Sequence, residues 1–224
     1  MRADNPKVHR LSEIIPGGIF VGTSLILRQG DRFLYGVRPV QRIDNRQVLE
    51  LTGIGGRVEH TDATFSEGAV REAREETGCR VRLAPCPQTL VVRNQRDIQP
   101  VALMDSERPA AIVFRNYRTP PHQPWHHDNQ GRACLIVFLA EIEEQPRPAM
   151  ELAFLIWLKA EHILEAARAD VPLARLVSTG ADLVLGKLPP PAGECWARLT
   201  DSQEALALAL GDDAPRFFQS VGTS

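Results

Sequence analysis

Between Thr64 and Gly78 the sequence reads TFSEGAVREAREETG, a helix whose two ends are both written into it. Thr64-Phe65-Ser66-Glu67 has the S/T-x-x-E form in which a hydroxyl and a carboxylate satisfy free backbone N–H groups, so the helix is predicted to start at Thr64. Gly78 stands where a left-handed cap would end it. On a 3.6-residue period Ala69, Val70, Ala73 and Thr77 share one face, which can pack on a sheet. Glu72, Glu75 and Glu76 share another, spaced i, i+3 and i+4, and this acidic face is expected to stand free.

Three like charges so placed repel by a few tenths of a kcal/mol per pair even when exposed, roughly 0.2–0.5. A divalent cation would reverse that sign, because hard ions such as Mg²⁺ take carboxylate oxygens and bridge them to substrate phosphates. Arg-Glu-x-x-Glu-Glu alone reads first as a salt-bridged, solvated surface helix with Arg71 paired to Glu75.

The flanking chain reads as a sheet. IFVGTSLIL and RQGDRFLYGVR form two strands joined by a Gln-Gly-Asp turn, and QVLELTGIGG is a short extended segment that leads through glycines into the helix. RVRLAP, QTLVVRN, AAIVFRNY and ACLIVFLAEI are further strands, and residues 119–131, with three prolines and a glycine, form a loop. FLIWLKAEHILEAARA runs from a strand end into a helix, PLARLVSTGADLVL reads as helical, and DSQEALALAL is a last amphipathic helix. Strands mixed with helices predict an α/β or α+β body.

Among 224 residues, 26 Lys and Arg oppose 28 Asp and Glu for a net charge of -2, so no global field recruits a polyanion and nucleic-acid binding is not expected. No run reaches the roughly 18 apolar residues of a membrane helix. The cysteines Cys79, Cys86, Cys134 and Cys195 form no CxxC pair and suit neither a zinc knuckle nor a disulfide framework, which points to reduced thiols in a cytoplasmic protein.

Gly56, Arg71, Glu72, Ala73, Glu75, Glu76, Gly78 and Cys79 fall in the order of the Nudix box, G-x5-E-x7-R-E-U-x-E-E-x-G-U with U apolar, and the stretch resembles that signature of the Nudix hydrolases. Two departures stand out. Asp62 occupies the place of the first glutamate, and eight residues instead of seven separate it from Arg71; the extra residue falls in the loop around Ala63, leaving the helix in register.

The resemblance implies an α/β/α sandwich with a mixed β-sheet, here with a helical C-terminal extension, and metal-dependent hydrolysis of a nucleoside diphosphate derivative. It implies that residues 1–186 form the Nudix domain with its N-terminal strands. Residues 187–224 then form a Pro-rich spacer and helical extension packed on the same domain. By carry-over, Glu72, Glu75, Glu76 and the Gly55 carbonyl bind Mg²⁺ or Mn²⁺, and Arg71 orients the glutamates. The base is Glu76 or Glu75, or a distant glutamate, for which Glu151 is the first candidate and Glu143 and Glu144 are others. Trp125 could stack on a base, His126 and His127 could touch phosphate, and Arg38, Arg42 or Arg46 could grip phosphate through bidentate bonds; each of these is also readable as ordinary surface or core. The expected partner is a small nucleotide, and the last helix serves either as a homodimer contact or as a cover for the sheet. A Nudix-like module of little or no activity, binding a nucleotide or a protein, is the alternative.

Overall fold

In the computed structural model the described residues are 8–39, 41–43, 45–116, 132–149, 152–186 and 193–220. The chain opens with β1 (Val8–His9) and α1 (Leu11–Ile14), then β2 (Phe20–Gln29), β3 (Arg32–Val37), β4 (Gln41–Ile43) and β5 (Arg46–Thr52). The helix α2 (Phe65–Thr77) follows, and after it β6 (Val81–Ala84), β7 (Thr89–Asn94), β8 (Asp97–Leu103), β9 (Ala111–Asn116) and β10 (Arg132–Ile142). The remainder is β11 (Phe154–Lys159), α3 (Ala160–Arg168), β12 (Val171–Pro172), α4 (Leu173–Ser178), β13 (Asp182–Leu185), β14 (Cys195–Leu199), α5 (Asp201–Leu210) and α6 (Ala214–Ser220).

The main path of the sheet runs β1-β8-β7-β9-β10-β2-β3-β5-β14-β12, with β11 on β3, β13 on β11, β4 on β5 and β6 on β10. Pairing is mixed: β2 lies parallel to β10 and antiparallel to β3, while β14 lies parallel to β5. Side chains of the central strands alternate between two buried clusters, as a two-residue period requires of a sheet covered on both faces. Leu25, Leu27, Leu34, Ile136 and Phe138 face the layer that holds Ala69 and Ala73 of α2. Ile26, Phe33, Tyr35, Val137 and Leu139 face the other, with Ile163 of α3, Leu206 of α5 and Phe218 of α6. This is the expected sandwich of helix, mixed sheet and helix, with a helical C-terminal end.

Several elements differ from the sequence reading. The second half of PLARLVSTGADLVL is not helical: Asp182–Leu185 is a strand against β11. Its apolar run satisfies a helical and an extended pattern equally, and the neighbouring strand decides. Asp97–Leu103 is a strand despite Pro100, which the rule against prolines in strands hides. Cys195–Leu199, next to the Pro-rich stretch, pairs along its length with Gln47–Leu51. The helix Asp201–Leu210 does not close the chain, because α6 follows it.

The four cysteines are buried and form no disulfide among the described residues. No helix among the described residues is long and apolar enough to cross a membrane.

The C-terminal strand is pinned by charge as well as by its ladder. Arg198 of β14 donates to both oxygens of Asp170 at 2.6 and 2.9 Å, and that guanidinium holds the Asp170 carboxyl below its usual range. A depressed folded-state value contributes stability above the ordinary aspartate range, near pH 4, and that contribution is lost as pH falls through the lower folded value. Arg198 is 42% exposed, so water screens the pair and its worth is under about 1 kcal/mol. Thermal melts between pH 7 and pH 2.5 are therefore expected to show Asp170→Asn melting below the parent at pH 7 by no more than about 2–4 °C. The two curves should converge as acid removes the pair from the parent; a constant gap at all pH values would contradict this.

Candidate active site

The helix α2 is capped as its sequence indicates. Thr64 Oγ1 accepts from Glu67 N at 3.1 Å, and Gly78 adopts φ 70° while its N–H donates to Arg74 O at 2.9 Å. The Glu67 carboxylate reaches one residue further back than the usual box, to Ala63 N at 2.8 Å, which ties down the longer loop. Two expectations about the faces fail. Val70 is 36% exposed, and Glu76, only 7% exposed, is turned inward among Ala73 and Thr77. The helix meets the sheet on its Gly68, Ala69, Ala73, Glu76 and Thr77 side, so the acidic residues straddle the boundary between core and surface.

Two glycines receive them. Ile54 and Gly56 accept from Leu25 N and Thr23 N, which fastens the segment after β5 to β2. Between these bonds Gly55 points its N–H the other way, into Glu76 Oε2 at 2.9 Å. By strand alternation its carbonyl faces the same side, toward α2. Gly55 has φ 150°, and a Cβ there would overlap the Thr23 carbonyl oxygen and stand 2.7 Å from Ser24 Cα. A Cβ on Gly56 would lie 2.6 to 2.7 Å from the Glu72 carboxylate atoms. Glu72 and Glu76 therefore converge on one bare stretch of backbone.

Arg71 organises the other side. Its Nε and Nη2 grip the two oxygens of Asp62 at 3.1 Å each, Nη1 bonds Glu72 at 2.8 Å and Glu75 at 3.1 Å, and Nη2 also reaches Arg57 O at 2.8 Å. The planar guanidinium presents donors in the fork that such a set requires. Asp62 also accepts from Glu59 N at 2.8 Å. The shorter side chain in the longer loop thus still reaches the arginine.

The electrostatics divide accordingly. Arg71 and the Glu59 amide hold the Asp62 carboxyl below its usual range. Burial raises Glu72 despite Arg71 beside it, so the unliganded site resists a full negative charge there. Among the described residues no three His, Cys, Asp or Glu side chains stand close enough to hold a metal ion, because Arg71 draws Glu72 and Glu75 to itself while Glu76 bends to Gly55.

A cleft of about 290 Å³ opens over this backbone. Gly55 and Gly56 form part of its lining, Phe20 and Leu135 give it apolar walls, and Arg38 and Arg57 contribute cations. Thr23 and Ser202, from opposite ends of the chain, also line it. Ser202 and its neighbour Asp201 carry no motif in the sequence; strand β14, which carries the chain back beside β5, brings them here.

Other sequence candidates lie elsewhere. Arg46 stacks 4.9 Å from the Trp196 ring, and neither it nor Arg42 lines the cleft. Glu143 and Glu144 follow Glu141, which is six residues beyond Leu135 on β10, or about 20 Å along the strand. Glu144 pairs with Arg80 at 3.0 Å and Glu143 lies 3.8 Å from Arg82. Trp125, His126, His127 and Glu151 lie outside the described residues; Ala149, two positions before Glu151, donates to Glu76 O at 2.9 Å.

The family model described as the NUDIX domain matches residues 20–178. No curated protein matches the sequence. Among solved structures, a MutT NUDIX hydrolase from Burkholderia pseudomallei is 17% identical, with 84% of this chain and 95% of that chain covered and a TM-score of 0.40. A NUDIX hydrolase from Nitrosomonas europaea is 14% identical over 65% of this chain and 75% of that one, with a TM-score of 0.41. At these scores the solved structures add nothing to the family match.

Proposed function

The chain belongs to the NUDIX-domain family, and on that premise we propose that it hydrolyses a pyrophosphate bond in a soluble nucleoside diphosphate derivative by attack of water on phosphorus. The observation that carries this reading is the convergence of Glu72 and Glu76 on the Gly55–Gly56 backbone, which itself lines the cleft together with Arg38 and Arg57; the glutamates stand behind that backbone and are not part of the lining. The donors there are all oxygen, the chemistry that suits Mg²⁺ or Mn²⁺. Glu72, Glu76 and the Gly55 carbonyl would hold the cation, with Glu75 joining them when it leaves Arg71. When bound, the ion neutralises phosphate oxygens and lowers the pKa of the attacking water.

The chain's own residues supply the rest. Arg71 keeps Glu72 and Glu75 from repelling each other and fixes the helix to the Asp62 loop. Glu76, anchored by Gly55, or the more exposed Glu75 takes the water's proton; Glu151 is retained as a distant candidate on sequence grounds. Arg38 and Arg57 meet the phosphates, and Trp125 is proposed on sequence grounds to stack on the base. The protein is proposed to act in the cytoplasm, with residues 193–220 as part of the same domain.

One observation favours a second reading, a module that binds without turnover: the three glutamates are not gathered for a metal, and Arg71 occupies two of them. A panel of nucleoside diphosphate derivatives assayed with Mg²⁺, with Mn²⁺ and with chelator separates the two. Turnover of at least one member with either ion, lost in chelator, is the expected result. Cation-independent binding with no turnover across the panel establishes the module.

A further inference from the structure

Two residues that line the cleft carry buried hydroxyls without a partner among the described residues. Thr23 Oγ1, on β2, and Ser202 Oγ, at the start of α5, belong to residues 2% and 1% exposed, and neither has a hydrogen-bond partner among the described residues. Buried hydroxyls are rarely left so, because each has surrendered water and gained nothing in return.

The wall that holds Ser202 is rigid. Gln203, 1% exposed, accepts from the Tyr35 hydroxyl and donates to Leu25 O at 2.6 Å. Arg115 of β9 donates to the Asp201 carbonyl and to Glu204 at 2.9 Å, and Thr200 N donates to Leu51 O at 2.9 Å. Asp201 itself is held at φ 63°, a conformation that a residue with a side chain rarely adopts. Unsatisfied and strained groups held in place by their surroundings are a mark of recognition sites. Asp201 and Ser202 lie beyond residue 178, where the family match ends.

We propose that Thr23, Asp201 and Ser202 form a specificity subsite that takes the non-reacting end of the substrate, and that this end is a heterocyclic base. The inference rests on the proposed hydrolysis only for the phosphate end. A volume of about 290 Å³ sits at the lower bound of roughly 300 Å³ for ligand pockets, enough for one ring system and not for a whole dinucleotide. Phe20 and Leu135 offer apolar surface to ring faces, while two hydroxyls that both donate and accept, beside a carboxylate that only accepts, suit a base edge carrying an N–H donor. A sugar, polar around its whole rim, would leave hydroxyls against those apolar walls.

The test is binding of AMP, GMP, CMP, UMP and ribose 5-phosphate, followed by calorimetry, to the parent, Thr23→Val and Ser202→Ala, with a thermal melt of each protein. The parent is expected to bind at least one nucleotide tenfold or more tighter than ribose 5-phosphate. Each variant should lose roughly 5-fold to 100-fold for that nucleotide and little for ribose 5-phosphate. Because no bond is lost in either variant, both should melt at or above the parent, which a structural role would not allow. Equal affinity for ribose 5-phosphate and nucleotides, unchanged preference in the variants, or variants that melt lower would each overturn the subsite. Base-selective binding without turnover would sink hydrolysis and leave the subsite standing; turnover without base selectivity would do the reverse.

Discussion

Glu76→Gln is expected to lower kcat by about 10²-fold to 10⁴-fold on whichever nucleotide the protein hydrolyses, with its fold intact. The substitution keeps the size of the side chain, and its amide oxygen can still accept the Gly55 N–H that Glu76 accepts at 2.9 Å. What it removes is charge, in a residue only 7% exposed, and with it one proposed metal oxygen and the better placed of the two candidate bases. Glu75 offers the internal control. Its side chain is 42% exposed and already engaged by Arg71 at 3.1 Å, so Glu75→Gln should cost less than Glu76→Gln in kcat. Steady-state kinetics on both variants, with unchanged melting temperatures, would assign the base to Glu76; a larger loss at Glu75 would reverse the assignment.

The second large effect concerns the two glycines, which should fail in different ways. Alanine at Gly55 would set a Cβ against the backbone of Thr23 and Ser24 in a conformation that side chains resist, and backbone cannot swing aside. Strain of about 1–3 kcal/mol and overpacking of about 1–3 kcal/mol combine to a loss of about 3 kcal/mol or more. In a chain of this size that is a drop of about 6–12 °C in Tm, together with activity. Alanine at Gly56 meets only the end of a side chain, the Glu72 carboxylate, which can move. Gly56→Ala should therefore melt near the parent yet lose activity, because the displaced group is a proposed metal ligand. Melting curves and kinetics on the pair would show the contrast, and a Gly56→Ala protein with parental activity would remove Glu72 from the site.

The helix was legible because its determinants are local. Thr64 and Gly78 mark its ends by hydrogen bonds within one turn, and those bonds form as read. Arg71 lies one helical turn from Glu75, so their pairing was legible too. The burial of Glu76 was not, because periodicity gives a residue's face and says nothing of a glycine amide waiting on another element to receive it. The strands at Asp97–Leu103 and Asp182–Leu185 owe their form to partners far along the chain, which override a proline in one and a helical pattern in the other. The same reason hid Asp201 and Ser202. Their place at the cleft depends on a parallel pairing between Cys195–Leu199 and Gln47–Leu51, some 150 residues apart, which no local pattern encodes. Asp62 stands between these cases: its spacing departs from the box, and only the path of the longer loop delivers its carboxylate to both Arg71 nitrogens.

The central claim is that the carboxylates converging on Gly55 and Gly56 direct water to phosphorus. Its most direct test is turnover in ¹⁸O-labelled water with Mg²⁺ or Mn²⁺, for the parent and Glu76→Gln, with mass analysis of the products. One ¹⁸O atom is expected on one phosphate product of the parent reaction, absent in chelator and nearly absent in Glu76→Gln. Turnover that neither chelator nor Glu76→Gln diminishes, or product phosphates that carry no label, would contradict it.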